Sequence, residues 1–130
     1  MERIYEFLKN ARTFYLATDD NGQPRVRPFG AVDLFNGKLY LQTGRRKACY
    51  RQMKENPKVE ICGMFDGDWI RITATAVENT AIEAEIHMIE QNPSLASMYQ
   101  PGDGNCVVFS LENGTATIAS FTKEPVVIEF

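Results

Sequence analysis

The chain has 130 residues, 44% of them hydrophobic and 24% charged, with a formal net charge of -3. That length suits one domain, expected over residues 1–130, with a sizeable core. The acidic balance argues against a nucleic-acid partner, and no apolar run approaches the ~20 residues of a membrane span.

In chain order, Ile4, Phe7, Leu8 and Ala11 recur at helical spacing and predict a short amphipathic helix. "TFYLAT" reads as a strand, and Asn21-Gly22 after it is a two-residue hairpin signal. "PRVRPFGAVDLF" reads as one long strand to a second such signal, Asn36-Gly37, which "KLYLQT" follows. "RRKACYRQMKENP" is helical up to Pro57. "KVEICGMF" and "WIRITATAV" are strands joined by "DGD". "TAIEAEIHMIEQN" is a helix for which Thr80 and Glu83 form a capping box, and "PSLASMY" continues as a second short helix. "CVVFSL" and "TATIASF" are expected to make a last hairpin around Glu112-Asn113-Gly114. About six strands with interposed short helices suggest a mainly β, α+β fold, a closed or nearly closed antiparallel barrel.

Cys49, Cys62 and Cys106 contain no C-x-x-C pair, and His87 is the one histidine, so a four-ligand zinc site of the usual Cys/His kind is hard to assemble and no metal is expected. Charges interrupt the apolar pattern of "MERIYEFLKN", which is therefore no signal peptide. Reduced, buried thiols in a cytoplasmic protein are the expectation.

The unusual segment is "PRVRPFG", a strand with two arginines on one face and two prolines. The second hairpin signal pairs Phe35 with Lys38, and carried outward that register sets Gly30 against Thr43 and Arg27 against Arg46. Arg25, Arg27, Arg45, Arg46 and Lys47 then gather at one hairpin end, where facing like charges are unfavourable unless an anion lies between them. Thr43 and Gly44 stand at a strand-to-helix junction, where open backbone N–H groups and the helix dipole suit a phosphate. The alternative is solvated surface charge. The first hairpin pairs Thr18 with Arg25, close to Asp19 and Asp20, so Arg25 can simply offset those carboxylates. If Arg27 is held against like charge, its removal should leave the ligand-free protein as stable as before, or more so.

"GQPRVRPFGAV", "KLYLQTGRRKACYRQMKENPKVEICG" and "DWIRITATAV" together resemble the pyridoxamine 5'-phosphate oxidase-like family of FMN-binding split barrels. The similarity runs in order from "FYLAT" to "TATIASF" and is closest to the small stand-alone members. It implies a six-stranded antiparallel split β-barrel of the FMN-binding type. It further implies FMN as cofactor, a homodimer with FMN between the subunits, and oxidoreductase activity on a small molecule with NAD(P)H or another donor. Arg25, Val26, Arg27 and Pro28 match the segment that runs beside FMN. Gln42 and Thr43 match a polar pair on the next strand, and Arg46 and Lys47 the basic pair on the phosphate. Trp69 falls at a flavin-contacting position, with Arg71 two residues on and on the same face.

Oxidases of pyridoxamine phosphate carry a further basic C-terminal region, and this sequence closes on "EPVVIEF", so vitamin B6 oxidation is not the expected activity. A flavin-storing or flavin-sensing protein, or a binder of another anion such as haem, are the alternatives to an enzyme. His87 reads as a partly exposed helical residue. Tyr99 and "QPGDGN" are connecting loop, or a loop over the partner's flavin.

Overall fold

A computed structural model describes residues 1–130. It comprises α1 (Glu2–Ala11), β1 (Phe14–Asp20), β2 (Gln23–Phe29), β3 (Val32–Phe35), β4 (Lys38–Gly44), α2 (Ala48–Glu55), β5 (Lys58–Phe65), β6 (Asp68–Asn79), α3 (Ile82–Gln91), a 3-10 turn (Pro93–Ser97), β7 (Cys106–Ala119) and β8 (Val126–Glu129). All strands join one antiparallel sheet in the order β2-β1-β5-β6-β7-β4-β3, with β8 added to β7. The sheet rolls up without β2 and β3 pairing, which makes a split barrel. No helix is long and apolar enough to cross a membrane.

The three hairpin turns are set by paired positive φ angles. Asn21, Asn36 and Asp66 stand at φ 52 and each precedes a glycine in the same region. Two left-handed residues in succession give the turn whose twist matches the flanking strands. The first hairpin keeps its expected register, with Thr18 opposite Arg25. That register also explains the prolines. Pro24 and Pro28 face Asp19 and Tyr15, the pairs that exchange no ladder hydrogen bonds, on a strand at the sheet edge.

The structure corrects several expectations. Eight strands form, not six, because β8 adds to the sheet and "PRVRPFGAVDLF" divides at Gly30 and Ala31. The second hairpin register holds only from Phe35↔Lys38 to Val32↔Leu41. Beyond it the chain crosses to another strand, and Arg27 lies opposite Leu16, not Arg46. "CVVFSL" and "TATIASF" are one 14-residue strand, not a hairpin. Asn113, at φ 51, forms a bulge where the register slips from Thr73↔Thr115 to Thr75↔Glu112, because β6 is long enough to pair both halves of β7. Gly114 is bare because Phe130 packs on it: an added Cβ would meet that ring at 2.2 Å. The capping box does not form; α3 begins at Ile82, and Asn79 Oδ1 accepts from the Ala81 N–H at 2.9 Å. α2 begins at Ala48, leaving "RRK" in a turn, and "PSLAS" is a 3-10 turn. Cys62 is exposed, unlike Cys49 and Cys106, because outward positions alternate with core positions along β5.

The main core fills the barrel with Phe14, Leu16, Leu39, Leu41, Ile61, Ile70, Ile72 and Phe109, and α1 and α2 seal it with Ile4, Leu8 and Met53. A second cluster joins α3 and the 3-10 turn to β4 and β7 through Tyr40, Met88, Leu95, Tyr99 and Val108. This cluster stands the α3 segment up as a wall beside β2 and β4.

Candidate functional site

A cleft of about 330 Å³ opens between that wall and the sheet. One side comes from the C-terminal half of β2 and the following turn (Arg27 to Ala31), with Gln42 and Thr43 from β4 and Lys47 and Cys49 from the start of α2. The other side is the wall of Asn92, Ser94, Leu95, Met98 and Tyr99. Asn92 pins the wall's foot, its amide donating to the Val32 carbonyl and the Met88 carbonyl at 3.1 Å each.

The basic residues of the sequence motif take different places. Arg27 reaches inward beneath the cleft, donating to the Leu16 carbonyl at 3.2 Å, Thr18 Oγ1 at 2.8 Å and Gln52 Oε1 at 2.5 Å. Those acceptors are all neutral, so its charge has no carboxylate opposite. Lys47 at the cleft mouth and exposed Arg46 also make no ion pair, whereas Arg25 pairs with Asp20 at 3.3 Å, outside the cleft. Arg45 is turned away toward Glu78 at 3.4 Å and lies over the Tyr50 ring at 5.0 Å. Burial raises Glu78, but hydrogen bonds from Lys54 and Tyr50 outweigh it and hold the carboxyl below its ordinary range. The cluster expected as five is therefore two paired cations, Arg25 and Arg45, and three unpaired ones, Arg27, Arg46 and Lys47. Arg27 and Lys47 line the cleft.

The backbone donors expected at "TGRRK" are already engaged. The Arg45 N–H donates to the Asn105 carbonyl at 2.8 Å, Arg46 N–H to Asn105 Oδ1 at 3.3 Å, and Lys47 N–H to the Gly44 carbonyl at 3.0 Å. Asp103 holds the opposing loop. Its carboxylate accepts from the N–H groups of Cys106, Gln100 and Asn105, which keep it below its ordinary range. Gly44 itself is buried below the Tyr99 hydroxyl, which an added Cβ would meet at 2.9 Å.

Two of the cleft's neighbours are thiols. Burial pushes the Cys49 thiol up, against Arg27, Lys47 and a hydrogen bond with Thr43. Burial, then Glu85 and Asp103, push Cys106 up to about 11. Neither is poised as a thiolate, so the site is not built for covalent catalysis by cysteine.

Trp69 and Arg71 share a face, as their spacing predicts, but they are not in this cleft. They lie on the outer face of the sheet, in a separate depression with Glu60, Thr73, Thr115 and Thr117. Trp69 meets the Phe121 ring edge-on at 5.0 Å, and Arg71 pairs with Glu60 at 3.5 Å. Val26, 69% exposed, is also outside the cleft, and Met64 and Val127 stand out to similar extents. By the strand alternation Tyr15, Val26, Met64, Trp69 and Val127 project from the same outer surface, exposed apolar side chains beside the Arg71–Glu60 pair and the threonines. His87 is half-buried in α3, as expected, with Nδ1 at 2.6 Å from buried Asp33 and its ring against Phe35, away from the cleft.

The α3 wall and Cys49 escaped the sequence reading. The available signal was Asn92-Pro93, which ends α3 and folds Leu95 to Tyr99 back over the sheet.

The family model of pyridoxamine 5'-phosphate oxidase matches residues 1–113. A NimC/NimA family protein from Clostridium acetobutylicum is 44% identical, with a TM-score of 0.97 over 100% of this chain and 92% of its own. General Stress Protein 26 from Bacillus anthracis has the same fold at 21% identity, TM-score 0.79, covering 99% and 97%. So does a pyridoxamine 5'-phosphate oxidase-related, FMN-binding protein from Nostoc punctiforme, at 16% identity and TM-score 0.60, covering 99% and 95%. No curated protein shows significant similarity to the chain.

Proposed function

The chain belongs to the pyridoxamine 5'-phosphate oxidase family, and from that premise we propose that it is an FMN-dependent oxidoreductase of a small molecule. The observation that carries this reading is charge: Arg27 and Lys47 line one cleft with no carboxylate opposite, while neighbouring Arg25, Arg45 and Arg51 are all paired. A partly buried guanidinium served by neutral acceptors is compensated by an anion, and a phosphate monoester supplies two charges. The residues fit FMN. Arg27, Lys47 and the Thr43 hydroxyl would hold the phosphate, with Arg46 adding charge outside. Gln42, whose amide nitrogen donates to the Thr43 carbonyl at 2.9 Å, offers its side-chain oxygen to the polar edge of the ring system, and Phe29, Leu95 and Met98 offer apolar surface to its faces.

When bound, FMN supplies the electron-transfer chemistry, with NAD(P)H or another reductant as donor. The protein's part is to bind and orient the cofactor and exclude water. The single chain does this incompletely, since the cleft is open to solvent and Pro28, which lines it, is exposed on edge strand β2. A second copy docked on the outer face of β2, β1, β5 and β6 would close it. The homodimer proposed here buries Tyr15, Val26 and Met64 and presents Trp69 and Arg71 to the neighbouring cleft. Arg25 and Val26 contribute through that interface, and Gly44 through Tyr99. No membrane or metal enters the account, and the setting proposed is the cytoplasm, where the thiols stay reduced.

The visible absorption spectrum of the purified protein, followed by NAD(P)H consumption with added acceptors, tests this. A flavin spectrum with turnover is expected. A flavin spectrum without turnover would leave a flavin-binding or sensing protein, and a haem spectrum would overturn the reading.

A further inference from the structure

Tyr99 is held more firmly than its place after a 3-10 turn suggests. Its N–H donates to the Leu95 carbonyl at 2.8 Å, its ring packs among Tyr40, Met88, Leu95 and Val108, and only 6% of the residue is exposed. Yet its hydroxyl donates to nothing in the chain, and it is not a buried atom left without a partner, as Asp33 Oδ1 is, so it reaches the open cleft. A buried tyrosine ordinarily finds a partner for its hydroxyl.

The position of that hydroxyl is specific. It occupies the space above Gly44 that a side chain would fill: a Cβ there would lie 2.9 Å from the hydroxyl and 3.3 Å from Asn105 Oδ1. Gly44 is followed at once by the turn that carries Arg46 and Lys47, and preceded by Thr43. Tyr99, Thr43, Lys47 and Arg27 line the same cleft. Since the Arg45, Arg46 and Lys47 N–H groups are spent on Asn105 and Gly44, the Tyr99 hydroxyl, which bonds to nothing in the chain, joins the Thr43 hydroxyl as a neutral donor at that corner.

We propose that Tyr99 is a further ligand of the cofactor's phosphate, its hydroxyl donating a hydrogen bond to a terminal phosphate oxygen, and that Gly44 is glycine to seat that hydroxyl. This rests on the reading of the cleft as an FMN site. A hydroxyl without a protein partner contributes to binding and not to folding, so the two effects separate.

The test is titration of apo-protein with FMN and with riboflavin, for the parent, Tyr99→Phe, Gly44→Ala and the double variant. Tyr99→Phe keeps the ring and its packing. It should weaken FMN about tenfold, as loss of a hydrogen bond to a charged group does, leave riboflavin unchanged, and leave the apo melting temperature unchanged. Gly44→Ala should also weaken FMN, and the double variant should be weaker by less than the product of the two. Parent-like FMN affinity in Tyr99→Phe would overturn the proposal, as would an equal loss for both flavins, which would place the hydroxyl on the ring system. A parent protein that binds neither flavin would overturn the FMN reading and this inference with it, whereas the first two results overturn the inference alone.

Discussion

Replacing Arg27 by alanine separates two accounts of "RVRPFG" by sign. With Arg27 facing Arg46, removal would relieve a repulsion and leave the ligand-free protein as stable or more so. The structure places it instead against the Leu16 carbonyl, Thr18 Oγ1 and Gln52 Oε1, at 3.2, 2.8 and 2.5 Å. Thr18 and Gln52 are 4% and 3% exposed, so truncation leaves buried acceptors short of a donor. Hydrogen bonds from a charged donor contribute about 1.5–3 kcal/mol each. Three are not additive here, because Thr18 also donates to Gln52 at 2.6 Å and the Leu16 carbonyl belongs to a paired strand. A net loss of about 2–3 kcal/mol is expected, or roughly 10 °C in melting temperature for a domain of this size. FMN should then stabilise the variant less than the parent at equal concentration, because ligand stabilisation follows RT ln(1 + [L]/Kd). Thermal unfolding of both proteins with and without FMN reads both effects. An Arg27→Ala protein that melts at the parent temperature without FMN would refute the scaffold role, and an undiminished FMN increment would refute the phosphate role.

Light scattering should show a dimer, and Met64→Glu on the outer sheet face should give a monomer that holds FMN more weakly. Gly114→Ala should cost about 1–3 kcal/mol in urea unfolding, since its Cβ falls 2.2 Å from the Phe130 ring and the C-terminal strand must shift. At alkaline pH the sign follows from the raised thiol of Cys106. Unfolded, it ionises near its ordinary value, 9.0, but folded only at about 11. The folded protein therefore holds the proton that the unfolded chain loses, and stability present in full below pH 9 should fall as pH rises to about 11. The slope should shrink in Cys106→Ala. Alkylation at pH 8 should label Cys62, on the outer face of β5, slowly in the dimer and quickly in the Met64→Glu monomer, with buried Cys49 and Cys106 slow in both.

Local signals carried much of the fold. Asn21-Gly22 and Asn36-Gly37 demand left-handed backbone, and alternation in "KVEICGMF" and "WIRITATAV" fixes which residues face the core. The same chemistry misled at Asn113-Gly114, because an asparagine in the left-handed region serves a bulge as well as a turn. What chose between them was β6, long enough to pair on both sides of the irregularity, and strand pairing at that distance leaves no local mark. The division of β2 from β3 was hidden likewise. A register extended from one hairpin assumes a continuous strand, and which strand Arg27 joins depends on where the sheet splits. At the site, residue identities were legible as a cluster of cations, but not the partition between paired and unpaired ones. Arg45 is drawn to Glu78 and Arg25 to Asp20, choices made by side-chain reach across elements. The α3 wall was invisible for the same reason, since "PSLASMY" reads only as a further short helix and Tyr99 as the start of a loop, and it is the second cluster that folds Tyr99 over Gly44.

The central claim, that unpaired Arg27 and Lys47 make this cleft a site for the phosphate of FMN, is tested most directly by comparing FMN with riboflavin on the apo-protein, followed by flavin fluorescence. The two ligands share the ring system and differ by the phosphate. With at least two charge-assisted contacts at stake, FMN should bind at least a hundredfold more tightly, and the difference should shrink as salt rises. Equal affinity for the two flavins, or an FMN preference indifferent to both Arg27→Ala and Lys47→Ala, would contradict it.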